Sequence, residues 1–224
     1  MITTPIPLFP LGLVLLPGAD VPLHIFEPRY RAMLRDVSAG NRIFGLITLP
    51  PGASEAELPS GRIGCTALVT AVDMLPDGRA NIMIAGVDRF RFETYVDAGT
   101  PYRIGHIAPY DDTADDATEL ARAGAALRDL ATRAIRASMT IHDVASESTE
   151  FDIDDAALSY QVAHLLHLKP ETLYTLLAER SPLARLHRLD AALRTGLDAV
   201  EGSAELHARA KTNGHHHGPP PPAA

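Results

Sequence analysis

The 224-residue chain carries 28 acidic side chains against 20 basic ones, a formal net charge of −8. That balance argues against a protein that tracks a phosphate backbone, which needs clustered lysine and arginine. Hydrophobic residues make up 46% of the chain, enough for one large folded domain or two small ones. Lysine is confined to Lys169 and Lys211, and Cys65 is the only cysteine, so no intrachain disulfide is expected and no oxidising compartment is implied. No basic stretch precedes the N-terminal apolar run, and prolines and Asp20 interrupt that run before it reaches spanning length. Neither a signal peptide nor a membrane helix is expected, and the cytoplasm is the default location.

Residues 5–30, PIPLFPLGLVLLPGADVPLHIFEPRY, hold six prolines and little charge before Glu27. Each proline removes a backbone donor and fixes φ, which leaves short extended pieces joined by turns. Residues 6–9, 13–16 and 21–26 read as strands, with Pro17-Gly18 as a turn. Pro28 suits the first position of a helix, whose apolar stripe is Tyr30, Met33, Leu34 and Val37, with Arg29, Arg31, Arg35 and Asp36 outside it. Gly40 is a plausible stop. Residues 43–49 read as a buried strand, and 50–61 as a loop long enough to be mobile or functional. Residues 63–74 alternate as a strand, Asp77-Gly78 supplies a hairpin turn, and residues 80–85, 89–96 and 102–107 follow as strands. Many strands without helical crossovers imply a mostly antiparallel sheet that closes or half-closes on itself.

The character changes near residue 110. Asp111, Asp112, Asp115 and Asp116 precede a predicted helix to about residue 139 with Leu120, Leu127, Leu130, Ala134 and Ile135 on one face. After an acidic loop at 146–154, helices are expected over 156–168, from Pro170, and from Pro182 behind the cap Ser181. The expected organisation is a β-domain over 1–112, a helical subdomain over 113–201 and a disordered His/Pro-rich tail over 202–224, where His215 to His217 read as solvated residues.

These segments resemble a known family. P-L-F-P-L-x-x-V-L-L-P-G followed by P-L-H-I-F-E-P-R-Y resembles the opening of the N-terminal substrate-recognition domain of the Lon proteases, also found in cereblon, a ubiquitin-ligase substrate receptor. G-x-R-x-G-C-T-A-L-V, D-M-L-P-D-G-R and I-A-G-V-D-R-F-R-F are similar to its later strands, and A-L-S-Y-Q-V-A-H-L-L-H-L and L-L-A-E-R-S-P-L-A-R-L-H-R-L to its helical half. The resemblance covers roughly residues 5–200. It implies an α+β fold: a PUA-like, mostly antiparallel β pseudo-barrel with a short helix, followed by an α-helical bundle subdomain. It also implies recognition of exposed, partly unfolded polypeptide rather than chemistry.

The residue types agree with a non-enzymatic reading. A Walker A loop needs Gly-Lys-Ser/Thr, and no Gly-Lys occurs. Neither Lys169, before a proline, nor Lys211, near the tail, has the buried setting a Ser-Lys dyad requires. There is no G-x-S-x-G elbow. His164 and His167 stand three apart on a helix, but no further ligands follow, so no metal and no cofactor are expected. His24, Glu27, Arg29 and Arg89 are read as structural polar residues: Glu27 satisfying N–H groups at the helix start, Arg29 tying that helix to the sheet through a carboxylate, Arg89 paired likewise.

Most of the leader's apolar side chains are expected in the core. A minority, with Phe9, Leu11, Leu13, Phe26 and Tyr30 as candidates, would line a groove rimmed by residues 50–61. The groove would receive apolar client segments, with β-augmentation adding sequence-independent hydrogen bonds. The expected role is thus a quality-control adaptor for unfolded polypeptide, serving a separate protease or chaperone. Two rivals remain. One is a PUA-like RNA-binding protein, if Arg29, Arg31, Arg35, Arg42, Arg62, Arg79, Arg89, Arg91 and Arg103 cluster; interspersed acids and the lack of stacking aromatics speak against it. The other is a small-molecule receptor, which a deep pocket with convergent polar groups would reveal.

Overall fold

The prolines of the leader decide how the first strand is used. In the computed structural model, which describes residues 3–50, 52–142, 151–166 and 168–213, β1 (Thr4–Leu11) changes partner half-way. Thr4 to Pro7 pair antiparallel with β6 (Ile104–Pro109), and Leu8 to Leu11 pair in parallel with β3 (Ile43–Thr48). Each half is therefore laddered on one side only, which is the setting in which a strand tolerates residues without an N–H.

The remaining strands are β2 (Asp20–Ile25), β4 (Ile63–Met74) and β5 (Ala80–Val96). Their order is β2-β5-β4-β3-β1-β6, and a further pairing of β5 with β6 closes the ring. All pairings but β1–β3 are antiparallel. The closure depends on the length of β5. Its first half pairs with β2, its second half with β6, and β4 runs beside most of it. Residues 86–88, expected as a connection between two strands, lie inside this one. At the register shift between Cys65 and Ala67 the Thr66 hydroxyl meets the backbone N–H of Asp88 (2.9 Å) and completes the ladder there. Leu8, Ile47, Leu58, Phe90, Phe92 and Ile107 fill the interior.

Residues 13–16 do not form the expected strand. Val14, Leu15 and Leu16 are buried without joining a ladder. The chain instead crosses β5 at Gly86, where Gly86 donates to Ala19 O and accepts from Gly18 N, both at 2.9 Å. A Cβ at position 86 would lie 2.1 Å from the Leu16 carbonyl oxygen, so only glycine permits the crossing. Helix α1 (Pro28–Ala39) starts at Pro28 and buries Tyr30, Met33, Leu34 and Val37, the stripe expected from spacing. A single 3-10 turn, Glu55–Glu57, stands within the long loop.

Four further helices follow: α2 (Ala117–Ile141), α3 (Asp155–Leu165), α4 (Pro170–Ala178) and α5 (Pro182–Asn213). Asp116 caps α2 by accepting from Thr118 N and Glu119 N, where aspartate stabilises the exposed donors and the helix dipole. The described residues fall into two compact units, one drawn from Met1–Asp115 and Ser159–Pro182, the other from Asp116–Leu158 and Leu183–Ala224. This differs from a single cut after residue 112, because α4 and its flanks belong with the sheet. The Tyr110 hydroxyl donates to Ala178 O at 2.9 Å and the Tyr174 hydroxyl accepts from Ile63 N at 3.3 Å. In the second unit, Arg128 on α2 donates to Asp155 Oδ1 (2.5 Å) and Ile153 O (2.7 Å), fixing the entry to α3. Helix α5 continues past Gly202 to Asn213, so residues 202–213 are helical, not part of a tail as expected. His215 to His217, His167 and the first part of the 146–154 loop lie outside the described residues. Among the described residues no helix is long and apolar enough to cross a membrane.

Candidate functional site

Most of the charged residues singled out in the sequence are committed to structure. Glu27 is the N-cap of α1, yet its side chain makes no capping bond. It accepts instead from Arg29 Nε at 2.9 Å. Arg29 then grips Glu55 in the long loop with both terminal nitrogens, at 2.6 and 2.8 Å. It thus ties α1 to that loop rather than to the sheet. Bidentate geometry makes this the stronger kind of ion pair. Tyr30 OH donates to Glu55 Oε1 (3.0 Å) and Tyr95 OH to the Glu55 carbonyl (2.5 Å). The bond to Glu55 raises the Arg29 pKa above its ordinary value. Burial first, and then the Glu55 carboxylate, raise that of Tyr30. The Glu55 cluster is a clasp on the loop.

Arg89 is 8% exposed. Its guanidinium donates to the carbonyls of Leu177 (2.9 Å) and Glu179 (2.6 Å) at the end of α4 and to the Asp112 carboxylate. A cation there satisfies helix-terminal carbonyls and favours the dipole. His24 pairs across the ladder with Asn81 at 2.7 Å and stacks on Phe26. No hydrogen bond joins His24 to Glu27 or Arg29 among the described residues, so the three do not form an acid–base group.

The apolar candidates divide. Phe9 and Tyr30 are 5% and 3% exposed, and their rings lie 4.0 Å apart in the core. They present no surface to a client, because the inward stripe of α1 packs on β1. Leu11 and Leu13 are half-buried; the Leu13 carbonyl accepts from Thr48 Oγ1 at 2.9 Å. Phe26 is 58% exposed at the end of β2.

Besides a polar concavity of about 610 Å³ lined by Arg29, Tyr95, Thr100, Tyr102 and Arg103 among others, two more apolar concave surfaces lie in the first unit. The smaller, about 530 Å³, is lined by Gly12, Thr48, Leu49, Pro50, Gly52, Arg62 and Tyr174 among others. Residues 50 and 52 of the long loop border it, and Gly12 alone represents the leader. The larger, about 780 Å³, lies between α1 and the β4–β5 hairpin. Pro28, Arg31, Ala32, Arg35 and Ser38 line it from α1, and Val72, Met74, Gly78 and Ala80 from the hairpin. Positions 28, 31, 32, 35 and 38 form the second stripe of α1, beside the core stripe, as 3.6-residue periodicity requires. Met74 is 62% exposed, an uncovered apolar side chain in a concave setting. The sequence reading missed this surface. The signal available to it was a short helix with two usable faces opposite a hairpin bearing Val72 and Met74. Among the described residues no group of three or more histidine, cysteine or acidic side chains is arranged to hold a metal.

A closed, mostly antiparallel sheet with its short helix has the organisation implied by the motifs, and comparison with known proteins gives it a family. The family model of the ATP-dependent protease La (LON) substrate-binding domain matches residues 5–194. The chain belongs to the Lon substrate-binding domain family. A solved Lon N-terminal domain protein from Xanthomonas campestris aligns with a TM-score of 0.58 at 28% identity, covering 84% of this chain and 98% of that one. The N-terminal domain of Mycobacterium avium complex Lon protease aligns with a TM-score of 0.64 at 17% identity, covering 85% and 98%, which supports the fold. Among curated proteins, Lon protease 1 of Herpetosiphon aurantiacus is 26% identical over 201 residues, 85% of this chain and 24% of that protein. Lon protease of Desulfosudis oleivorans is 28% identical over 95 residues, 41% of this chain and 12% of that protein. The chain therefore spans a quarter or less of the length of these relatives. The matching model describes a substrate-binding domain, not a protease or an ATPase domain.

Proposed function

We propose that this Lon-type domain recognises exposed, apolar segments of unfolded polypeptide and performs no chemistry on them. The observation that carries the reading is the open groove between α1 and the β4–β5 hairpin, with Val72 and Met74 uncovered in it. Apolar side chains left in a concave surface by an otherwise well-packed sheet are a cost unless something covers them. A client segment would do so, and a shallow, side-chain-tolerant site suits a reader of many sequences. Delivery of bound clients to a separate protease or chaperone is the role this binding would serve, as a quality-control adaptor.

The test is retention on the immobilised protein of one model client, offered reduced and unfolded or native. Retention of the unfolded form alone is expected, and its loss in Met74→Asp would place it at the groove. Equal retention of both forms, or of neither, would overturn the reading.

A further inference from the structure

The nine arginines of the β-half fall into two sets. Arg29 is held by Glu55, Arg79 by Asp77, Arg89 by Asp112 and Arg91 by Glu93. Arg62 donates to Thr48 O and lies over the Tyr174 ring, and Arg103 lies over the Tyr95 ring. The other three are Arg31, Arg35 and Arg42. Arg31 and Arg42 form no ion pair among the described residues, and Arg35 has only a 3.9 Å contact with its exposed neighbour Asp36. These three are the arginines that line the groove between α1 and the hairpin, and no carboxylate lines it with them. In a chain of net charge −8, the three arginines of the β-half with the weakest partners among the described residues are gathered on one apolar concavity.

Each of the three is placed by its backbone. Arg31 and Arg35 are one helical turn apart on α1, so their side chains are neighbours along the groove wall. The Arg31 guanidinium rests over Gly78 in the hairpin turn, where a Cβ would come within 2.1 Å of it. Arg42 follows the helix with its N–H bonded to Val37 O and its carbonyl to Val69 N, both at 2.9 Å. Between them lie Ala32, Leu34, Val72, Met74 and Ala80.

We propose that this groove selects polypeptide segments in which apolar residues alternate with aspartate or glutamate. The inference rests on the polypeptide-recognition reading above and gives it a substrate class. The stretch of α1 from Pro28 to Ser38 is about 15 Å long at 1.5 Å per residue, which matches four or five residues of extended chain. In an extended segment alternate side chains point to opposite sides. One set then enters the aliphatic floor while the other carries carboxylates to the guanidinium rim, where planar forks can hold them by two hydrogen bonds. A single-stranded nucleic acid fits less well, because its bases need aromatic faces to stack on and no aromatic residue lines the groove.

Fluorescence anisotropy with three labelled nonapeptides tests this. They share the same apolar residues, which alternate with glutamate, glutamine or lysine. The full chain should bind the glutamate peptide roughly tenfold more tightly than the glutamine peptide, with the lysine peptide weakest, and the preference should shrink as salt rises. R31E/R35E, on an exposed face and checked for folding by circular dichroism, should reverse the order so that the lysine peptide binds best. Equal affinity for all three peptides would overturn the acidic selectivity while leaving polypeptide recognition standing. Retention of unfolded protein without binding of any peptide would overturn the groove as the site, and loss of both would overturn recognition itself. Tighter binding of an oligonucleotide of the same length, abolished in R31E/R35E, would overturn the proposal in favour of nucleic acid. Self-association lost in R31E/R35E, with unchanged peptide binding, would assign the groove to a second copy of the chain.

Discussion

Two surfaces of the same unit, both built with arginine, have opposite fates. At the end of α4, Arg89 is buried and its guanidinium donates to Leu177 O, Glu179 O and Asp112. Along α1, Arg31 and Arg42 stand at the edge of an apolar groove without an ion-pair partner among the described residues. One arrangement removes a charge from water and compensates it with three hydrogen bonds; the other leaves charge hydrated and aliphatic surface bare. The first can only stabilise the fold. The second adds little to it and is available to a ligand.

Perturbing the closed surface should have the largest effect. Arg89→Ala removes a buried guanidinium and takes its hydrogen bonds from the carbonyls of Leu177 and Glu179, and should lower unfolding free energy by about 2–4 kcal/mol, read from urea denaturation. A loss below about 1 kcal/mol would erase the contrast between the surfaces. Gly86→Ala drives a methyl group into the Leu16 carbonyl and should cost about 1–3 kcal/mol, with the leader more open to proteolysis. The Glu55 clasp is intermediate in exposure, with the Arg29 and Glu55 side chains 36% and 21% exposed. There Glu55→Gln weakens the grip of Arg29 and should cost about 1 kcal/mol, seen chiefly as faster cleavage within residues 50–61.

Alkaline pH probes two buried groups, the Tyr102 phenol and the Cys65 thiol. Burial, reinforced by donation to Asp36 Oδ2 at 2.8 Å, pushes Tyr102 from 10.0 up to about 12. Burial likewise pushes Cys65 up to about 12. A raised folded-state pKa stabilises fully below the unfolded value and loses that contribution as pH rises through the folded one. Stability should therefore decline between about pH 9 and pH 12. Tyr102→Phe should flatten the upper part of that decline, and an unchanged profile would count against the Asp36 bond. Cys65 should resist alkylation at neutral pH until the protein unfolds. The smallest stability effect belongs to the open surface: R31E/R35E should change unfolding free energy by no more than about 0.5 kcal/mol while altering peptide preference.

What the sequence revealed follows the range of the forces involved. The bounds of β4, the Asp77-Gly78 turn, the Pro28 start of α1 and its buried stripe are local, and periodicity and turn chemistry expose them. The role of residues 13–16 was hidden, because their burial depends on a glycine some seventy positions away. Phe9 and Tyr30 looked like surface candidates among prolines, yet their rings pack tilted against each other once α1 closes over β1. Arg29 visibly needed a carboxylate, but Glu55 lies in a loop with no pattern of its own. The groove was hardest to see, since Arg31, Arg35 and Arg42 are marked out only by having weaker partners, among the described residues, than the other arginines found.

The split pairing of β1 has a consequence for how the protein is born. Thr4 reaches its ladder partner Ile107 only after about a hundred further residues have been made, roughly 5–20 s of synthesis at ordinary ribosomal speeds. Throughout that interval the leader is a nascent greasy strand awaiting its neighbour. For that time its own first strand is an exposed apolar segment of the class the groove is proposed to bind.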